Sequence, residues 1–200
     1  HPVSVVTKSA LIERDLDLLA DLAAEGLVQV QVSLTTLDRG LARRMEPRAA
    51  APQRRLRTLE RLAAAGVPTG VLVAPLIPFL NDAELERLLA AAREAGARAA
   101  GYVLLRLPQE VAGLFEAWLE EHYPERRERV LQRLRDCRGG RANDPRFGHR
   151  MCGEGPFAQL LAQRFRKACR DLDFPGLPPL RCDRFRPPPP SSGQLDLFGP

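Results

Sequence analysis

Short apolar runs alternate along this chain with longer segments whose apolar residues recur every three or four positions, and that alternation predicts β and α elements in turn. Val3 to Thr7 and Val28 to Leu34 are strand-like, Val71 to Leu76 is apolar throughout, and Ala99 to Leu105 forms a fourth run. The third run, which has no polar alternation, suits a strand covered on both faces, as in a parallel sheet. Helical patterns lie between them at about Ala10 to Ala24, Gln53 to Ala65 and Asp82 to Ala95. In the first, Leu11, Ile12, Leu16, Leu18, Leu19 and Leu22 predict a broad apolar face. Gly26, Gly66 and Gly96 follow these segments and are read as left-handed helix caps. Right-handed crossovers then set four strands side by side and parallel, with helices outside. The expected fold class is α/β: about half of a barrel, or a small doubly wound sheet, which the pattern alone does not separate.

The third strand carries the most information. Pro75 and Pro78 lack a backbone N–H and are expected to end its ladder. Asn81 is predicted to cap the next helix, with Glu84 three residues on completing a capping box. The intervening loop therefore lies at the carboxyl end of a strand, where α/β proteins bind ligands. A second loop, TTLDRGLARRMEPRAAAP after Leu34, is long for such a unit, and long loops of this kind are usually functional.

Beyond the sheet, Val111, Leu114, Phe115, Trp118 and Leu119 mark one helix face, with Trp118 read as a core residue. A further helix is expected over Phe157 to Leu172, with Phe157, Leu160, Leu161 and Phe165 on one side. From Phe174 the chain is rich in proline, including Pro187 to Pro190, and reads as an extended linker. The expected organisation is a partial barrel over residues 1–108, an Arg-rich helical extension over 109–173 and a tail over 174–200.

Composition adds three points. A chain of 200 residues with 44% hydrophobic content can bury a core, and nothing in it approaches a membrane-spanning apolar run, so a soluble, cytoplasmic protein is expected. It opens on His1 directly before a strand, which reads as a piece of a longer protein. Cys137, Cys152, Cys169 and Cys182 form no CxxC pair and are expected to be free thiols; His149 and Cys152 have a spacing that could suit zinc, but a partner pair is missing and no metal site is expected.

Charge is uneven. Residues His122 to Arg150 hold nine Arg against four acidic residues, an excess of five that equals the net charge of the whole chain, +5. Within them RGGRANDPRFGHRMC mixes Arg with Gly and Phe147, a composition that can follow a phosphate backbone while the ring stacks on a base. Arg138, Arg141, Arg146 and Arg150 are thus candidate nucleic-acid contacts. The alternative is a solvated surface in a chain that has 28 Arg and only two Lys.

The strand ends gather polar groups: Lys8 after the first strand, Ser33 at the end of the second, and Ala74 with Pro75 at the end of the third. Parallel strands finish on one rim, so all three are expected at one mouth, where Lys8 can reach a carboxylate and Ser33 can donate a hydroxyl. The succession VVTKSALIERDLDLL, SLTTLD, MEPRAAAPQRRLRTLERLAAAGVP and VAPLIPFLNDAELERLL, within Val3 to Pro108, resembles the radical S-adenosylmethionine superfamily, in the branch of spore photoproduct lyase and the DNA repair photolyase-like proteins. The later LPQEV, FEAWL, RGG, RFG and RMCGEGP resemble an extension of the same branch.

The resemblance implies a partial (βα)6 barrel whose four parallel strands here would be its carboxyl-terminal part. It also implies S-adenosylmethionine and a [4Fe–4S] cluster held by a CxxxCxxC loop upstream of this chain, because that motif is absent from it. In the family the reduced cluster cleaves the cofactor to a 5′-deoxyadenosyl radical that removes hydrogen from substrate. By the same likeness Lys8 and Ser33 would contact the methionyl or ribose part and Ala74 the adenine, with Glu46 and Arg55 either on the cofactor wall or in a structural ion pair. The fragment by itself is expected to be inactive.

At the other end, Gln194, Leu195, Asp196, Leu197 and Phe198 read QLDLF, which resembles the short peptide that docks bacterial DNA-processing enzymes on the replication sliding clamp. DNA and the clamp are therefore the expected partners. A non-catalytic DNA- and clamp-binding scaffold, or a radical enzyme with a substrate other than nucleic acid, are the alternatives.

Overall fold

Four parallel strands form one sheet in chain order: β1 (Val3–Thr7), β2 (Val28–Ser33), β3 (Thr69–Leu76) and β4 (Ala99–Leu104). The computed structural model describes residues 1–141 and 143–185. Register runs Val3 with Val28, Val30 with Thr69 and Gly70 with Ala99, so no strand is skipped and every crossover joins neighbours. That sequential order is a barrel segment rather than a doubly wound sheet, whose order reverses at a switch point.

The helices in between are α1 (Leu16–Ala24), α2 (Arg39–Met45), α3 (Pro52–Ala64) and α4 (Leu85–Glu94), followed by α5 (Glu110–His122), α6 (Pro124–Asp136) and α7 (Gly155–Asp171). Val28, Val30 and Val32 of β2 and Val71 and Val73 of β3 face Leu59, Leu62, Leu85, Leu88 and Leu89 of the helices, all buried. The same apolar cluster runs on through Leu119, Val130, Leu134 and Leu161, so the Arg-rich extension shares the core of the sheet. Gly26, Gly66 and Gly96 have φ of 69°, 76° and 92°, as predicted. The N–H after each bonds back to the preceding helix, as from Val67 to the Leu62 carbonyl at 3.0 Å. At Gly96 a Cβ would come within 2.6 Å of the Ala63 Cβ, so glycine also permits the close approach of α3.

Several expectations change. The first helical pattern divides into a 3-10 turn, Ala10–Asp15, and α1, which leaves Leu11 and Leu18 79% and 60% exposed instead of on a buried face. The long second loop contains α2, capped by the Asp38 carboxylate accepting from the Leu41 N–H at 2.8 Å. β3 continues through Pro75 by a register shift between Val73 and Leu76, after which Leu76 pairs with Leu104. Only Leu119 of α5 is fully buried; Trp118 is half-buried, and its Nε1 donates to the Arg44 carbonyl at 3.1 Å.

The capping box is replaced by something more useful. Asn81 is fully buried, and its side-chain amide donates to the carbonyls of Thr35 (2.7 Å) and Pro75 (2.9 Å) while its oxygen accepts from the Ile77 N–H (2.6 Å). Glu84 accepts from the Thr36 hydroxyl at 2.7 Å and from the Leu37 N–H at 2.9 Å. Both side chains therefore tie the end of β2 to the end of β3. A buried polar group satisfied this completely contributes fixed geometry as well as stability.

The segment expected to be linker is also structured as far as it is described. After α7 it returns across the amino ends of the strands, with the Gly176 N–H donating to the Arg98 carbonyl (2.8 Å) and the Arg181 N–H to the Gly26 carbonyl (2.9 Å). Phe185 ends beside His1, ring centroids 5.1 Å apart. Pro187 to Pro190 and the QLDLF sequence lie outside the described residues.

Candidate functional site

The carboxyl ends of β1, β2 and β3 converge on the Ala74 carbonyl. Lys8, one residue beyond β1, donates to it from Nζ at 3.0 Å; the Ser33 hydroxyl reaches it at 3.1 Å, and the Thr35 hydroxyl lies at the same distance. The Lys8 ammonium also bonds the Glu46 carboxylate and, at 3.3 Å, the Thr35 hydroxyl. Glu46 sits at the end of α2, and Thr35 lies 3.0 Å from the same carboxylate oxygen. Arg55 of α3 holds the other oxygen at 2.6 Å, and it further donates to the carbonyls of Ser33 (2.9 Å) and Ala50 (2.7 Å).

All five residues predicted for the cofactor thus meet in one cluster, but in two layers. Arg55 is 2% exposed and encircled by acceptors, so it holds Glu46 and the end of β2 in place and presents no face to a ligand. Arg55 and Glu46 form an ion pair at 2.6 Å. Lys8 keeps 39% of its side chain exposed, and Glu46 12%, so these two reach the rim. Burial by itself would raise the Glu46 carboxyl, but the hydrogen bonds from Lys8 and Arg55 outweigh it and hold the group below the usual carboxylate range. The site is consequently a fixed Lys⁺/Glu⁻/Arg⁺ array with two hydroxyls; of its members Glu46 alone also lines a hollow of about 130 Å³ beside α2, with Ala42, Pro47 and Ala51.

Sequence reasoning missed Thr35, whose hydroxyl joins Lys8, Glu46 and Ala74; the signal was the polar pair Thr35-Thr36 directly after an apolar strand, both buried to 1% exposure. It also missed the tethers of Asn81 and Glu84, whose spacing matched a local cap more simply.

The candidate nucleic-acid residues separate. Arg138 is 1% exposed and turned inward, where Nη1 donates to the carbonyls of His149 and Arg150 and Nη2 to those of Leu104 and Leu105, at 2.8 to 3.2 Å. A guanidinium sealed this way cannot meet a phosphate backbone, which corrects the expectation for it. Arg146 is neutralised by Asp144 at 2.6 Å and Glu154 at 3.2 Å. Its guanidinium holds the Asp144 carboxyl far below its usual range. Arg141 is exposed, and Arg150 lies over the 88%-exposed Phe147 ring, 5.2 Å from its centroid. The four cysteines are free, and no group of three or more His, Cys, Asp or Glu side chains that could hold a metal occurs among the described residues. No helix among them is long and apolar enough to cross a membrane.

Chemically, a rim carrying both a cation and an anion beside two hydroxyls suits a zwitterionic head group, and the methionyl part of S-adenosylmethionine is one. The described residues therefore fit that cofactor but do not fit an iron–sulfur cluster, for which they supply no ligand set.

An uncharacterized protein of Mycobacterium tuberculosis is 38% identical over 126 residues, which is 62% of this chain and 37% of that protein, and a Mycobacterium bovis protein matches equally. An uncharacterized protein of Acidianus two-tailed virus is 40% identical over 74 residues, 37% of this chain and 24% of that protein. The chain thus spans between about a quarter and little more than a third of the length of these curated relatives. Among solved structures, a single-residue mutant of spore photoproduct lyase superposes with a TM-score of 0.57 at 20% identity, covering 88% of this chain and 49% of that one. A double mutant of the same enzyme, with bound S-adenosylmethionine and dinucleoside spore photoproduct, gives 0.56 at 18% identity over 86% and 48%. Those likenesses show a shared fold, the partial barrel. The radical SAM superfamily model matches residues 1–92, the stretch that contains β1 to β3 and contributes Lys8, Ser33, Thr35, Glu46, Arg55 and Ala74.

Proposed function

We propose that this chain is the carboxyl-terminal half of a radical S-adenosylmethionine enzyme of the photoproduct-lyase-like branch, acting on nucleic acid, with the cluster ligands supplied by residues outside the chain. The observation that carries the reading is the convergence of Lys8, Ser33, Thr35, Glu46 and Ala74 on the carboxyl-end rim. S-adenosylmethionine, when bound, supplies the hydrogen-abstracting carbon radical of this superfamily.

The chain's own residues orient and shield. Lys8 and Glu46 form a complementary pair for the methionyl ammonium and carboxylate, with Ser33 and Thr35 offering hydroxyls to that part or to the ribose, and Ala74 bordering the adenine. Lys8 already has three acceptors, so binding exchanges one of them for a ligand oxygen. Arg55, Asn81 and Glu84 keep the strand ends from shifting as that exchange occurs. For a nucleic-acid substrate, support comes from Arg141, from the exposed Phe147 with Arg150 above it, and from the dinucleoside lesion bound by the similarly folded lyase. The QLDLF sequence supports docking on the sliding clamp.

The decisive experiment is anaerobic purification of the whole protein followed by chemical reduction: iron–sulfur absorbance and release of 5′-deoxyadenosine are expected, and no such product ends the enzyme reading. Lys8→Ala should weaken S-adenosylmethionine binding about tenfold or more, the worth of one charge-assisted hydrogen bond. Deleting residues 194–198 should abolish clamp pull-down; undiminished recovery removes that partner.

A further inference from the structure

Several arginines in this chain are paired with an acid. Arg54 and Arg61 share Glu13, Arg55 has Glu46, and Arg164 has Glu86. Two at the carboxyl end of β4 are not. Arg138, described above, spends its terminal nitrogens on four carbonyls, and its Nε is buried without a partner. Arg106, two residues past the end of β4, is half-buried; its Nε is likewise buried without a partner, and its guanidinium makes no hydrogen bond or ion pair with any described residue. Asp144, the acid whose charge reaches Arg138, is already engaged by the Nε, Nη2 and backbone N–H of Arg146.

The two charges also sense each other. Burial lowers the Arg138 pKa, and repulsion from Arg106 pushes in the same direction. A pair of like charges beside a sheet end, partly desolvated and with unused N–H groups, is an arrangement that an anion stabilises. The contrast with Lys8 is direct: both stand just beyond a strand on the same rim, but Lys8 has Glu46 and Arg106 has no counter-ion among the described residues.

We infer that Arg106, with Arg138 behind it, forms an anion site at the carboxyl end of β4 that takes a phosphate group of the substrate. A phosphate oxygen pair matches the flat fork of a guanidinium. Arg138 is a positioning residue here: by binding the carbonyls of Leu104 and Leu105 it fixes the backbone from which Arg106 extends. The inference deepens the proposed function, since it names what part of a nucleic-acid substrate the fourth strand end would hold.

The test is titration of the whole protein with two probes, inorganic phosphate alone and a single-stranded oligothymidylate, over a range of salt. Arg106→Gln is expected to weaken the oligonucleotide about tenfold and to lower the slope of log affinity against log salt by about one, the signature of one lost phosphate contact. Arg106→Lys keeps the charge without the fork and should fall between. Loss of phosphate binding with the oligonucleotide unaffected supports the anion site and assigns it to a small phosphate instead of a strand. Unchanged affinity for both probes in Arg106→Gln, with an unchanged circular dichroism spectrum, overturns the site. Reading 5′-deoxyadenosine release on the same samples separates the two claims. Release without any Arg106 effect sinks only this inference, and an Arg106 effect without release sinks only the enzyme reading.

Discussion

The rim around Ala74 and the segment from His122 to Arg150 both concentrate charge, and they use it in opposite ways. At the rim three ionic groups from three elements are brought within hydrogen-bond distance, so that one carboxylate, Glu46, organises Lys8 and Arg55. Along α6 the arginines are spread over the helix surface, onto carboxylates of α5 and an aromatic ring. Arg127 lies 3.3 Å from Glu120, Arg135 lies 3.8 Å from Glu116, and Arg129 and Arg133 sit over the Phe79 ring at 4.6 and 5.6 Å. The difference teaches that an excess of charge in sequence says little about where a field will be. What counts is whether strand ends collect the groups or a helix surface spreads them.

That contrast can be broken at its strong end first. Glu46→Gln leaves Arg55 buried beside a neutral group and should cost about 3 kcal/mol of stability in urea unfolding, as expected for a buried charge that loses its partner. A loss below about 1 kcal/mol would mean that the rim array is no more coupled than the helix surface. Next comes Arg138→Met, which strips donors from four carbonyls. It should cost about 2 kcal/mol and speed amide exchange over residues 149–153. That stretch packs tightly enough that a Cβ on Gly153, whose φ is 76°, would sit 2.8 Å from Leu104 and 2.9 Å from the Cys137 carbonyl.

A smaller effect is expected from acid. Hydrogen bonds from Arg54, Thr58 and Arg61 outweigh burial and bring the Glu13 pKa from 4.5 to about 2. A carboxyl depressed on folding contributes its full stability above the unfolded value, and that contribution is lost as pH falls from about 4.5 towards 2. Glu46 is depressed too, so both regions of the sheet should weaken in the same direction. Equilibrium unfolding against pH should therefore be flatter over that window in Glu13→Gln than in the unaltered chain. The smallest change belongs to Arg127→Ala, whose exposed ion pairs should be worth about half a kcal/mol and fade with added salt. A larger loss would show that α6 is a cooperative network instead of a set of separate contacts.

The four-strand sheet was legible because apolar runs and capping glycines are local signals, and Gly26, Gly66 and Gly96 each mark the turn they occupy. Lys8, Ser33 and Ala74 were legible for a related reason, since parallel strands must finish on one rim. What could not be read was every role set by a distant partner. Asn81 and Glu84 fit a cap three residues apart, yet their partners lie 46 to 48 positions away at Thr35, Thr36 and Leu37. Arg138 looked like its neighbours in an Arg-rich loop, and only the return of residues 149–151 along β4, where the Leu104 N–H bonds the Met151 carbonyl at 2.9 Å, turned it inward. Leu11 and Leu18 failed because helical periodicity predicts a face without saying that anything will cover it.

The strap after α7 decides the direction from which this molecule can be approached. It pins Phe185 beside His1 at the amino ends of the strands, while the rim lies at their carboxyl ends, a strand of six residues away or roughly 20 Å. Phe185 and the strap before it therefore occupy the back of the sheet, and neither competes for space with a large substrate that comes to the front.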